Sequence, residues 1–416
     1  MTAVPPTGRC PVLAPHRLDL IDPDLHQRDG AHRIWRDLRH RAPVSRQSAG
    51  SLGYWSVVGY AEAGQVLRDH DTFTSERGTL LNLLGKEDPA GGRQMAVTDP
   101  PAHTHLRGPL RQALSIKAVE NDREEIRRVV AGLLEPLADG GPFDFAVAMT
   151  ALPTAVIGAM MALPEADRPR LARLAHACVA PDDPVFRLGG GGPGATLVTA
   201  HRELFAYFQD TVTARRRSPG NDLISVLLTM ELDGRRLSPG EIVSNCYSLL
   251  LGATVTTAQP PSAALAELAG TEALDDWAAH PELLSSGVEE SLRWSSPTQH
   301  FMRHTTRDVE LRGTAIPAGE AVVVWLGSAN RDGTVFTDPD TFDIRRRPNR
   351  HLAFGAGAHY CVGHTVARVT LRILFAELLG RFTGIEPAGT PRRMRSNVIA
   401  GFTHLPITAR VRNPLP

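Results

Sequence analysis

Lysine is almost missing from this chain. Of its 45 basic residues only Lys86 and Lys117 are lysines, and arginine carries the rest. The basic residues are matched by 45 acidic ones, so the formal net charge is zero. A balanced chain has no bulk field with which to gather nucleic acid or an anionic membrane surface. Cysteine is sparse as well. Cys10, Cys178, Cys246 and Cys361 stand far apart and fit neither a zinc spacing nor a disulfide framework. A reducing cytoplasm is the compartment that this usage suggests. The first ten residues have no charged start followed by an apolar run, so neither a signal peptide nor an anchor is expected there. Long hydrophobic runs are also absent. The most apolar stretch, Phe145 to Leu163, contains Pro153 and Gly158 and reads as a buried helix rather than a membrane span.

What is present is enough apolar sequence for a large core: 42% of 416 residues are hydrophobic, and length alone would suggest two or three domains. Residues 1–30, rich in Pro and Asp, read as an extended lead-in. Helices are expected over 30–41 and 61–68, with short strands at 44–46 and 54–58. The segment 78–95 reads as an irregular loop over a ligand site. Thr98-Asp-Pro-Pro-Ala-His begins another helix, with Asp99 as its cap and a proline in its first turn. Helices over 120–137, 145–161, 165–180 and 197–217 follow. The glycine-rich 181–194 between the last two is a loop and no phosphate cradle, because no Lys-Ser/Thr follows the glycines.

The best-marked helix start is Ser238-Pro-Gly-Glu241, a capping box with proline at the first helical position. The helix is expected to run through Gly252-Ala-Thr-Val-Thr-Thr257 to Gln259, roughly 30 Å, with a kink at Pro260-Pro261. So long and apolar a helix crosses the core. Its threonines 254, 256 and 257 either bond back to their own helix carbonyls or serve chemistry.

The stretch with the most chemical content is His351 to His364. Gly355, Gly357 and Gly363 allow positive φ and close backbone approach. After Cys361, Val362, Val366, Val369 and Ile373 recur at helical spacing, which puts the cysteine at or just before a helix N-terminus. Amides and the helix dipole there stabilise a thiolate. The residues alone leave two readings open: a structural cysteine beside a turn, or a thiolate ligand to the metal of a flat cofactor.

Phe354, Gly355, Gly357, His359, Cys361 and Gly363 together resemble the haem-binding signature of cytochromes P-450. In order before them stand Gly252–Thr257, Glu290-x-x-Arg293 and Phe342–Arg346, with Thr98–Arg107 similar to the family's helix beside the haem. The resemblance spans about residue 20 to the C-terminus. It implies a mainly α fold, a single cytochrome P-450 domain over 1–416, with a triangular helical part and a smaller β-rich region. It implies haem b with Cys361 as the axial ligand to iron. His103, Arg107, Arg303 and His359 match propionate partners, Phe354 the aromatic residue beside the sulfur, and Ala253, Gly355 and Gly363 further haem contacts. Glu290, Arg293 and Arg346 match a buried structural network. Thr256 and Thr257, with Cys361, are the catalytic candidates.

By the same resemblance the chain is a bacterial monooxygenase. It uses O2 and two electrons to hydroxylate or epoxidise a moderately large metabolite, free or tethered to a carrier protein. Electrons are expected from a ferredoxin or flavodoxin with its NAD(P)H reductase, attracted by Arg350, Arg368 and Arg372. No nucleic acid or membrane partner is expected. The pocket is expected to include Leu84, Leu249, Ala253, Gln299, His300 and Phe402, drawn from 80–84, 179–186, 249–256, 298–301 and 399–402. His300 among them suits packing or solvent contact better than substrate. One departure is Val255, where the family has an acid before its threonine. Valine relays no proton, which leaves water, Thr254, Thr257 or a polar substrate group as routes. It also leaves oxidative coupling or desaturation as an alternative outcome, and a non-catalytic haem protein as a third reading.

Overall fold

The computed structural model describes residues 19–412. Residues 1–18, which include Cys10 and most of the expected lead-in, lie outside them. The described part of that lead-in is not all extended: Pro23–Gln27 is a short helix, capped by the Asp22 side chain on the Asp24 amide.

Helices dominate, and the expected ones form with two informative breaks. The segment 120–137 is not one helix. Ile116–Asn121 ends at Asp122, and Arg123–Leu134 starts there. The long core helix begins as its capping box requires: the Ser238 hydroxyl accepts from the Glu241 amide, and Glu241 accepts from the Ser238 amide at 2.7 Å. It runs Pro239–Thr254, about 24 Å, and stops before the expected end. The next helix is Gln259–Leu268, so Pro260 and Pro261 sit in its first turn and Val255–Ala258 form the break. Proline has no N–H for the carbonyl four residues earlier, and its ring clashes with it. Two prolines therefore forbid helix upstream of themselves, at Thr256 and Thr257.

The β-rich part is a five-stranded sheet in the order Val44–Ala49, Leu52–Val57, Ala321–Trp325, His300–Thr305, Phe73–Thr74. Its pairs are antiparallel except for Ala321–Trp325 beside Leu52–Val57. Phe143–Asp144 pairs with Pro406–Val411. These pairings join the early and late parts of the chain.

One buried charged knot ties the helices to the Cys361 segment. Glu290 lies on the helix Leu284–Ser295, fully buried with Arg293. Arg293 grips it twice at 2.7 Å, and Arg346 adds contacts at 3.1 and 3.2 Å. The Asp343 amide and the Asn349 side chain donate to the same carboxylate at 2.9 and 3.0 Å. Arg293 also donates to the carbonyls of Asn330, Pro339 and Thr341. The Asn330 side chain then accepts the Leu352 amide at 2.6 Å, nine residues before Cys361. Removing one partner of such a pair leaves an uncompensated buried charge. We expect Glu290→Ala to cost about 3–5 kcal/mol in urea unfolding. Glu120→Ala, which breaks the exposed pair with Arg123, should leave the midpoint in place.

Candidate functional site

The Cys361 segment is a short 3-10 turn, Gly357–His359, followed by the helix His364–Arg381 with Gly363 as its N-cap. The Cys361 amide donates to the Phe354 carbonyl at 2.9 Å and closes the loop. Gly355 and Gly357 both have φ near +70°. At Gly357 a Cβ would come within 2.6 Å of the Leu67 carbonyl oxygen, so only glycine lets this loop rest on the helix Tyr60–Arg68. Gly363 does not use its conformational freedom, since its φ is −88°. Its contribution is its backbone amide, which favours the charged form of the Cys361 sulfur. Burial pushes the Cys361 thiol up, by more than that amide and the Arg107 and Arg368 charges pull it down. The expected stabilisation of a thiolate by this turn is therefore present but outweighed. A metal on the sulfur would supply the remainder.

Phe354 packs beside the loop, with Arg368 4.5 Å above its ring and His364 edge-on. Arg368 is no free surface charge. Its Nε and one outer nitrogen donate to Glu289, at 2.7 and 2.8 Å, and His351 shares that carboxylate. Burial raises the Glu289 acid, but these partners hold it at about 2. Arg372 is half-buried with an unpartnered Nε. Of the three arginines expected to greet a partner, only Arg350 is exposed. Arg68, missed in the sequence, is exposed beside the same loop at Gly357.

Near its C-terminal end the core helix is open where a core helix should be closed. Gly252 is exposed with nothing within 4 Å of a Cβ, and Ala253, Thr256 and Thr257 are half-buried. Cys361 to Arg368 are half-buried throughout. Ala253, Val362 and Val366 pack against one apolar cluster. Open residues on two elements that share one apolar cluster mark a slot with apolar walls.

At one end of the slot donors gather, and the two arginines among them have no acid partner among the described residues. Arg303 is buried, and its one hydrogen bond among the described residues is to the Met302 carbonyl at 2.9 Å. Burial lowers it to about 10. Arg107 makes no hydrogen bond or ion pair among the described residues, and burial lowers it too, against the pull of Cys361. His103 and His359 face each other with ring centroids 4.3 Å apart. His103 is pushed down to about 4 by burial and by the positive groups around it. This set suits the carboxylates of a group lying in the slot. No cluster of three or more His, Cys, Asp or Glu among the described residues is arranged to hold a metal ion. A flat iron porphyrin with two carboxylate arms fits the sulfur, the slot and the donors together.

Asp99 does not cap its helix, which starts at Ala102 with no side-chain cap. It accepts instead from Thr74 at 2.5 Å, from the Ser75 hydroxyl at 2.6 Å and from His359 at 3.3 Å. Burial raises Asp99, but these bonds outweigh it and hold the carboxyl well below its usual range. Asp99 and Ser75 thus orient His359, a role the sequence did not display.

Thr256 bonds back to the Gly252 carbonyl at 2.7 Å yet stays half-open to the slot. Thr254 is fully buried and faces Thr154 at 3.4 Å, which removes it from any proton route into the slot. Val255 is buried in the apolar cluster. The expected pocket residues divide. Leu249 joins the cluster that also holds Val179, Phe186 and Ile399, and Ala253 packs against it. Leu84 belongs to another cluster, with Trp35, Tyr54 and Trp325. His300 is fully buried, bonded to the Asn397 carbonyl and the Leu81 amide at 3.0 Å. Gln299 bonds the Ser396 carbonyl at 2.9 Å. Phe402 lies under Arg393 in a third cluster. These four have their polar or apolar surface committed to the fold, because each joins segments far apart in sequence.

A family model described as Cytochrome P450 matches residues 275–410. A putative cytochrome P450 126 of Mycobacterium tuberculosis is 34% identical over 410 residues, covering 94% of this chain and 97% of that protein. The crystal structure of P450 OxyD, described as involved in the biosynthesis of vancomycin-type antibiotics, superposes with a TM-score of 0.85 at 34% identity, covering 95% of this chain and all of that one. P450BioI, solved with an acyl carrier protein ligated to hexadec-9Z-enoic acid, superposes at 0.82 with 28% identity, covering 93% of this chain and 99% of that one.

Proposed function

The chain belongs to the cytochrome P450 family, and from that premise we propose that it hydroxylates or epoxidises a moderately large, partly apolar metabolite of natural-product type. The family makes it an oxidoreductase carrying haem b. The observation that carries the assignment of the site is the slot between Gly252–Thr257 and Cys361, with the unpaired donors Arg107 and Arg303 at its end. Cys361 would hold the iron. Arg107, Arg303, His103 and His359 would hold the propionates, with Asp99 orienting His359. Phe354, Gly355, Gly363 and Ala253 would shape the two faces. When bound, such a group supplies oxygen activation pushed by thiolate electron density. The protein supplies orientation and exclusion of water.

Thr256, whose hydroxyl donates to the Gly252 carbonyl and keeps its acceptor capacity, would serve oxygen chemistry on the open side, with Thr257 beside it. With Val255 buried and Thr254 turned away, protons reach the slot by water, by Thr257 or by the substrate. The substrate walls are Leu249, Ala253 and the cluster around Val179, Phe186 and Ile399. Strand pairings that join the first and last thirds of the chain support one domain. Among the described residues no helix is long and apolar enough to cross a membrane, in keeping with work in the cytoplasm.

Electrons come from a ferredoxin or flavodoxin with its reductase, and the exposed Arg68 and Arg350 beside the Cys361 loop are the positive charges available to an acidic partner. Reversing both to glutamate should slow reduction by a ferredoxin, most at low salt, with the haem spectrum unchanged. Equal rates in the variant would move docking to another face.

The substrate class is tested by optical titration of the ferric holoprotein with candidate metabolites, watching the shift that follows displacement of water from iron. A saturable shift with one class of apolar metabolite is the expected result. Carrier delivery is the second reading, suggested by the complex of P450BioI with an acyl carrier protein. It takes over if free molecules give no shift while their carrier-bound forms do. Absence of a shift with both would contradict the proposal.

A further inference from the structure

Gln259 does something that neither the motif reading nor the pocket reading assigns. It is the first residue of the helix Gln259–Leu268 and is 1% exposed. The two prolines after it set the problem. Pro260 has no N–H to serve the Thr256 carbonyl, and the Gln259 amide serves it instead, at 3.1 Å. In a continuous helix that amide would have gone to Val255. The Val255 carbonyl is thereby left without its backbone donor inside the core, where such a group needs a partner. The Gln259 side chain supplies it: Nε2 donates to the Val255 oxygen at 3.2 Å.

The other end of the same amide is also in use. The Phe402 amide donates to Gln259 Oε1 at 3.3 Å, and Gly401 lies so close that a Cβ there would stand 2.2 Å from Oε1. Gly401 is the base of the loop 395–400 between the strands Arg392–Arg393 and Phe402–His404, and the Met394 amide donates to its carbonyl at 2.8 Å. That loop carries Ile399 in the cluster of Leu249 and Val179, and its Ser396 hydroxyl donates to the Val179 carbonyl at 2.6 Å.

We propose that Gln259 is a positioning residue that fixes the Val255–Thr256 turn of the helix break and clamps it to the C-terminal loop walling the substrate side. The inference rests on the haem-thiolate reading above. Glutamine suits the place because its amide donates with one atom and accepts with the other. Loss of the donor frees the Val255 carbonyl to turn, and Thr256, the next residue, moves with it. Loss of the acceptor frees the loop.

The test uses holoprotein with Gln259→Leu, Gln259→Glu and Gly401→Ala. The first removes both bonds, the second keeps the acceptor for Phe402, and the third displaces the side chain from the loop side. Two quantities are read. One is the rate at which the dithionite-reduced protein is reoxidised in air-saturated buffer, followed at the haem band. The other is amide exchange over 252–262 and 399–404. The reduced CO spectrum is recorded for each variant, so that a failure of thiolate ligation, which would defeat the haem-thiolate reading itself, is seen separately. We expect normal CO spectra and several-fold faster reoxidation in all three. Faster exchange at 252–262 should accompany it in all three, and at 399–404 in Gln259→Leu and Gly401→Ala but not in Gln259→Glu. Reoxidation at the wild-type rate in Gln259→Glu and Gly401→Ala overturns the proposal, even if thermal stability falls, because Gln259 would then be packing only. Should Gln259→Leu fail to fold, those two variants decide the matter.

Discussion

A single buried carboxylate, Glu290, holds this molecule's working parts in register. Two guanidinium groups, one backbone amide and one side-chain amide satisfy it. The arginines then use their remaining donors on carbonyls from 330 to 341. A network of this kind adds little net energy over an apolar core of equal volume. What it adds is position, because Arg293 spends its donors on Glu290 and on three separate backbone carbonyls. Through Asn330 and Leu352 the fixed geometry passes to the turn that presents Cys361.

From that anchor the site follows by what is left unsatisfied. Elsewhere Glu290 and Arg293 are fully buried only as a pair. Along the slot the rule is reversed: Gly252 is bare, Thr256 and Cys361 are half-open, and Arg303 is buried without an acid. Desolvated cations without counter-charge are costly, so their clustering at one end of an apolar slot signals a ligand with carboxylates. The one acid nearby, Asp99, is already filled by Ser75, Thr74 and His359.

What the sequence displayed and what it hid divide by range. The Ser238–Glu241 box, the Glu290–Arg293 spacing and the Cys361 turn are local patterns, and each formed as read. The break in the core helix was visible as a proline pair. Its place upstream of them required following which carbonyls lose their donors. Asp99 looked like a cap because its partners, Ser75 and His359, lie 24 and 260 residues away. Arg368 looked like a free surface charge until Glu289 came beside it. Gln299, read as a pocket residue, and His300, read as better suited to packing, are both spent on backbone groups of the loop 395–400. Contacts of that kind leave no periodicity to detect.

The central claim is that Cys361 is the sulfur that holds iron in this slot. The most direct measurement is the absorption spectrum of the dithionite-reduced, CO-saturated protein, for the wild type and for Cys361→His. The account predicts a single band at the position given by thiolate-ligated haem in the wild type. In the variant, with haem retained, it predicts a band at the position given by nitrogen ligation. A wild-type band at the nitrogen-ligated position in folded, haem-loaded protein, or an unchanged band in the variant, would contradict it.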